Sequence, residues 1–155
     1  MSTIALGHAA SHCVDLTRSD AGEDIILLGP EEDAGVKIGE SAMLEAGRNI
    51  TLNSGLKDEG EGDTEVKEET TLIAGDNITI ASGLSGVTKI KEESTLTAGG
   101  DIIIESGAAA ETVVGGDSIL TADNSITVAS GEEGQTDVEE STMLVAPVVM
   151  VDDQL

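Results

Sequence analysis

The chain has 155 residues, a formal net charge of −24 from 31 acidic and 7 basic residues, and no Phe, Tyr or Trp. One domain is the natural expectation at this length, and capture of nucleic acid or an anionic membrane is excluded, because phosphate binding needs clustered Lys and Arg. A wide core filled by aromatic rings is excluded too, so the 39% hydrophobic content, mostly Ile, Leu, Val and Ala, has to fill a narrow interior.

The opening residues, MSTIALGHAASHC, lack a basic n-region, and their apolar run is too short for a secretory signal. Without an apolar stretch of about 18 residues, no membrane-spanning helix is expected. The chain then works inside the cell, leaves it without a cleaved leader, or has a leader that precedes these residues, and an extracellular or surface assembly is favoured. Cys13 is the only cysteine, so no intrachain disulfide forms. His8, His12 and Cys13 make the single ligand-like cluster, but zinc takes about four ligands and no second His or Cys pair follows. A structural role is expected for them, with no cofactor.

From residue 21 onward one phrase returns: AGEDIIL, AGRNITL, AGDNITI, GGDIIIE, ADNSITV and a weaker APVVMVD. Anchored on Ile25, Ile50, Ile78, Ile102, Ile126 and Val149, the copies recur every 23 to 28 residues, a period that marks a solenoid. Within each copy three period-2 patterns alternate with Gly, Ser, Asn or Asp, as half-buried strands alternate with turns. The first pattern points Leu44, Leu72, Leu96, Leu120 and Met143 inward, followed two residues later by Ala46, Ala74, Ala98, Ala122 and Val145. The second, the spine of the core, pairs Ile25 with Leu27, Ile50 with Leu52, Ile78 with Ile80, Ile102 with Ile104, Ile126 with Val128, and Val149 with Val151. The third is Val36/Ile38, Thr64/Val66, Thr88/Ile90, Thr112/Val114 and Thr136/Val138. Gly22, Gly47, Gly75 and Gly99, each with an Asp or Asn two residues on, are expected at corners of positive φ.

These patterns predict an all-β parallel β-helix over residues 1–155, with about six rungs of three short strands, a rod about 29 Å long at ~4.8 Å per rung. The polar stretch at 56–64 reads as an insertion bulging from one corner, and residues 141–155 as the terminal rung and tail. Stacking places Glu69, Glu93, Asp117 and Glu140 in one acidic column. Lys67 and Lys91, two residues ahead of Glu69 and Glu93, offset part of its repulsion. Divalent cations are candidate partners for the rest, although a solvated acidic edge is the simpler reading.

Alternation turns Ile26, Ile73, Ile103, Ile119 and Leu144 outward, with Met150 in the same rank as Ile26 and Ile103. Rows of exposed aliphatics suggest contact with another chain. A solenoid needs polar caps to stay monomeric, yet no amphipathic capping helix is visible and the last rung, TMLVAPVVMV, is among the most apolar. Self-association through lateral faces, ends or both is expected.

The phrases AGRNITLNSG, AGDNITIASG and AGGDIIIESG resemble the haemagglutinin repeats of filamentous, two-partner-secreted adhesins, a likeness covering about residues 40 to 131. It implies a right-handed parallel β-helix and a filamentous surface role. The coil here is longer than in those repeats, and no secretion-domain motif is present. The same phrases resemble the trimeric needles of type VI secretion and phage tail spikes, and the uncapped β-helices of polymerising bactofilins. Polysaccharide-active β-helix enzymes share the fold as well, but Arg18 and Arg48 are the only arginines and no aromatic platform exists for a sugar ring. The expectation is a non-enzymatic, self-associating structural solenoid, with a trimeric spike as the alternative.

Overall fold

A computed structural model describes residues 4–6, 18–29, 35–55 and 62–152. All regular structure among them is β-strand, in three parallel sheets. Numbered in chain order, the first sheet holds β1 (Ile4–Leu6), β3 (Ile25–Leu28), β6 (Ile50–Ser54), β9 (Ile78–Ser82), β12 (Ile102–Glu105), β15 (Ser125–Ala129) and β18 (Val148–Asp152). The second holds β2 (Arg18–Ala21), β5 (Met43–Ala46), β8 (Thr71–Ala74), β11 (Thr95–Ala98), β14 (Ile119–Ala122) and β17 (Met143–Val145). The third holds β4 (Val36–Ile38), β7 (Thr64–Val66), β10 (Thr88–Ile90), β13 (Glu111–Val114) and β16 (Gln135–Val138). Every strand pairs with the strand one coil away, so the chain is a β-solenoid. Five complete three-strand turns are described, one fewer than the six rungs expected, with surplus strands of the first two sheets at the ends.

Equal coil length puts like residues on like. Ile50, Ile78, Ile102, Ile126 and Val149 stand in one parallel register with Ile25. The expected spine, Ile25, Ile50, Ile78, Ile80, Ile102, Ile104 and Ile126, is fully buried, as are Leu72, Leu96 and Leu120 from the second sheet and Val66, Ile90 and Val114 from the third. Burying each such aliphatic side chain stabilises the fold by about 1.5–3 kcal/mol, and three walls of them fill the lumen without an aromatic ring.

Buried hydroxyls line two edges of that lumen. Ser54, Ser82, Ser106 and Ser130 at the ends of the first-sheet strands face Thr64, Thr88, Thr112 and the partly buried Thr136 of the third. Thr64 Oγ1 donates to the Ala81 carbonyl at 2.5 Å, Thr88 to Glu105 at 2.7 Å and Thr112 to Ala129 at 2.7 Å, so each hydroxyl stitches one coil to the next. Thr70, Ser94 and Ser118, fully buried, each donate to a carbonyl of the preceding coil, Gly39, Lys67 and Lys91 respectively. Buried polar groups are tolerated because they are paired in this way.

Thr64 opens β7, so the corner excursion expected at 56–64 stops at Asp63. Ser54 closes its base, donating to the Gly62 carbonyl at 2.6 Å and lying 2.7 Å from Thr64 Oγ1. Its residues 56–61 lie outside the described residues, as do His8, His12 and Cys13.

Two corner expectations are corrected. None of Gly22, Gly47, Gly75 and Gly99, and none of Asp24, Asn49, Asn77 and Asp101, has positive φ. Three of the glycines answer to space instead: a Cβ on Gly47 would sit 2.3 Å from the Gly22 carbonyl oxygen, one on Gly75 2.2 Å from that of Gly47 and one on Gly99 2.2 Å from that of Gly75, whereas one on Gly22 would meet nothing within 4 Å. The Asp and Asn side chains form a ladder along the stack. Asn49 Nδ2 donates to Asp24 Oδ1 at 2.9 Å, Asn77 Nδ2 to Asn49 Oδ1 at 3.3 Å, the Asp101 backbone N–H to Asn77 Oδ1 at 2.8 Å, and Ser125 Oγ to Asp101 Oδ1 at 2.6 Å.

The last coil corrects a third. Leu120 aligns with Leu144, not with Met143. Leu144 packs partly buried against the core, while Met143 and Val145, expected inside, are 55% and 47% exposed. The final copy is one residue short, and the missing residue falls in the corner at Pro147, between Val145 and Val148. Counting back from Val149 therefore slips β17 by one, and in a strand one step reverses every side chain.

Candidate association surface

The outward ranks are built by alternation on strands whose inner residues are locked in the lumen. Ile26, Ile73 and Ile103 are half-buried on the outer surface, Ile119 is 42% exposed and Met150 52%. Leu144 leaves this group because it faces the core. Register then assembles the outer face of the second sheet: Thr71 and Ile73, Thr95 and Thr97, Ile119 and Thr121, Met143 and Val145 on four successive strands. None of the eight is charged. Thr51, Thr79, Ile103, Thr127 and Met150 continue the same chemistry down the centre of the first sheet. In a chain of charge −24, most carboxylates lie elsewhere, although Asp20 and Glu45 continue the outer rank of the second sheet on β2 and β5.

The two ends of the rod differ. At the first, Val36 and Ile38 are 2% and 0% exposed although β4 is the outermost described strand of its sheet, and Ala21 on outermost β2 is 2% exposed. At the second, β16, β17 and β18 end all three sheets. Val149 and Val151 stand in register with fully buried Ile126 and Val128, yet are 42% and 49% exposed. They occupy core positions of the last described coil. Val148–Asp152 pairs with β15 over five residues in unbroken register and ends in the charged Asp152.

The acidic corner differs from its expected form. Ser41, Glu69, Glu93, Asp117 and Ser141 make the column, all with φ between 52° and 68°. Glu140 drops out, displaced one place by the same slip in the last copy. Left-handed backbone costs a non-glycine residue roughly 1–2 kcal/mol, so this is where positive φ was needed. Ser41 Oγ donates to Glu69 Oε2 at 2.9 Å. As to a cation ladder, no three His, Cys, Asp or Glu side chains among the described residues gather where a metal ion would sit.

Lysines on the third sheet engage a different acid from the one expected. Lys91 Nζ lies 3.1 Å from Glu65 Oε1 and 3.7 Å from Glu68 Oε1, and Lys37 Nζ lies 3.3 Å from Glu65 Oε2. Burial pushes the Glu65 carboxyl up, but the two ammonium groups outweigh it and hold the carboxyl below its usual range. Glu65 in turn raises Lys91. On the Asn ladder, the Asn49 amide, ahead of the Arg48 guanidinium 2.6 Å away, keeps Asp24 below the ordinary carboxylate range against a smaller opposing effect of burial. Both carboxylates are thus tied to partners as structural groups. Neither ladder was anticipated, although an Asp or Asn preceding four of the five anchor isoleucines was a visible signal. No family model, curated protein or solved structure matches the chain.

Proposed function

We propose that this chain is a non-enzymatic structural module, a β-solenoid that self-associates into a filament, fibre or adhesin-like surface assembly. The observation that carries the reading is the uncharged stretch on the outer face of the second sheet, four successive strands wide, where Ile119, Met143 and Val145 are 42%, 55% and 47% exposed. Rows of exposed aliphatic side chains are a contact surface for another chain. From β8 to β17 this face lets copies approach laterally without opposing carboxylates, while Asp20 and Glu45 continue the same rank on β2 and β5. A structural role is further supported by the engagement of Asp24 and Glu65 in ladders, which leaves neither poised as an acid or base. The surface setting rests on the phrases AGRNITLNSG, AGDNITIASG and AGGDIIIESG. Light scattering and negative-stain microscopy over a concentration series test the proposal. Growth in mass with concentration is expected, and a monomer at every concentration overturns it.

A further inference from the structure

Resting on that reading, we infer a second and separate contact between copies: the outer face of the third sheet pairs with its counterpart on a second copy, about a two-fold axis that crosses the rod at β13 along the strand direction.

This face is built by the same alternation that fills the lumen. With Thr88, Ile90, Thr112 and Val114 locked inside, Lys37, Glu65, Lys89, Val113 and Asp137 stand in one outward column. A second column runs beside it, Lys67, Lys91, Gly115 and Glu139, each donating its backbone N–H to the coil before. Four of the chain's seven basic residues therefore share one face, on or just behind β4, β7 and β10, and the same two columns turn acidic at Asp137 and Glu139. Glu65 is already held by Lys37 and Lys91, whereas Lys89 and Asp137 make no ion pair among the described residues. Between the two signs the surface dips. Val113 is 6% exposed, Gly115 is buried and has no side chain, and a notch of about 160 Å³ opens beside Lys89, Lys91 and Glu139.

A patch with a basic half and an acidic half about a neutral centre complements itself, which is the condition for a two-fold contact. Charge chooses the axis. Laid along the rod, it would set Lys89 on Lys89 and Asp137 on Asp137. Laid along the strands through β13, it sets Lys89 on Asp137 and Lys91 on Glu139 of the second copy, twice over by symmetry, with Val113 on the axis. The rods then run antiparallel while the facing strands stay aligned, as packed sheets prefer. Register is fixed the same way, because opposed like charges cost free energy. Sliding one copy by a coil toward β10 brings Glu65 against Asp137, and sliding it the other way spends Asp137 on Val113. The dip at Val113 and Gly115 leaves room for the side chains that cross the axis. Three coils of overlap make a small interface, so the contact is weak and concentration-dependent. Together with the second-sheet face it links rods side by side into a ribbon.

Sedimentation velocity over a concentration series tests this on the full chain, using Lys89→Glu, Asp137→Lys and the double variant, with far-UV circular dichroism as the control for folding. Lys89→Glu makes the chain more acidic and Asp137→Lys less so, and bulk repulsion alone would move their association in opposite directions. The contact predicts instead that each substitution weakens association about tenfold or more, and that an equimolar mixture of the two, or the double variant by itself, recovers it. Association that neither substitution changes, a gain with Asp137→Lys, or a loss that the mixture and the double variant do not recover overturns the third-sheet contact and leaves self-association standing. A wild-type monomer of 15.7 kDa at every concentration overturns both.

Discussion

At the scale of single residues, the fold is a contest between burial inside the lumen and backbone demands at its corners. Ile78 and Ile102 lie in the middle of the spine, fully buried, with strands stacked on both sides. Ile78→Asp should abolish folding, since an unpaired buried carboxylate costs several kcal/mol; Ile102→Ala should cost about 2–5 kcal/mol. Urea unfolding followed by circular dichroism measures both, and near-wild-type stability of the Asp variant would refute the inward assignment. The corner gives the opposite sign. Glu93 sits at φ 56°, so Glu93→Gly should stabilise by about 1 kcal/mol after the entropic cost of glycine is set against relief of the left-handed backbone. Glu93→Gln, which keeps the strain and removes the charge, separates the two effects. Inward aliphatics were legible because period-2 alternation reports burial directly. The left-handed acids were not, since glutamate is an unusual residue for such a position and Gly and Asn elsewhere drew attention to the wrong corner.

At the scale of strands and turns, most pairing followed from counting and one element did not. Fixed coil length delivered the Ile, Leu and Thr columns in register, but β17 slipped because a residue is missing at Pro147, downstream of the strand that was counted back to. Side-chain ladders escaped because they join residues about 24 apart, where chain-local patterns give no sign of who donates to whom. Their electrostatics make a pH prediction. Asp24 and Glu65 have folded-state proton affinities below their unfolded ones. Their contribution to stability is therefore whole above the unfolded carboxylate pKa, about 4, and is lost as pH falls through the lower folded value. Lys91 runs the other way: its raised value keeps its contribution whole below the unfolded lysine pKa, about 10.4, and loses it as pH rises through the folded one. Thermal midpoints should fall on the acid side below about pH 4, and Glu65→Gln should flatten that limb.

At the scale of the whole molecule, a rod of charge −24 repels itself. Because acids crowd the corners, the thermal midpoint should rise between low salt and about 1 M salt, where screening acts within about 3 Å; a midpoint indifferent to salt would remove repulsion from the balance. The molecule is also close to one-dimensional. Each coil touches chiefly the coil before and after it, so stability is nearly a sum of identical steps. Duplicating residues 83–106, one coil between Ser82 and Ser106, should give a folded chain about 4.8 Å longer with higher denaturant resistance, checked by small-angle scattering and urea titration.

Such additivity gives the constant cross-section a meaning beyond stability. Wherever the chain is cut and rejoined at equivalent corners, the walls meet without a seam, and only the number of coils changes. The protein's length is in that sense graduated in single coils, each adding about 4.8 Å.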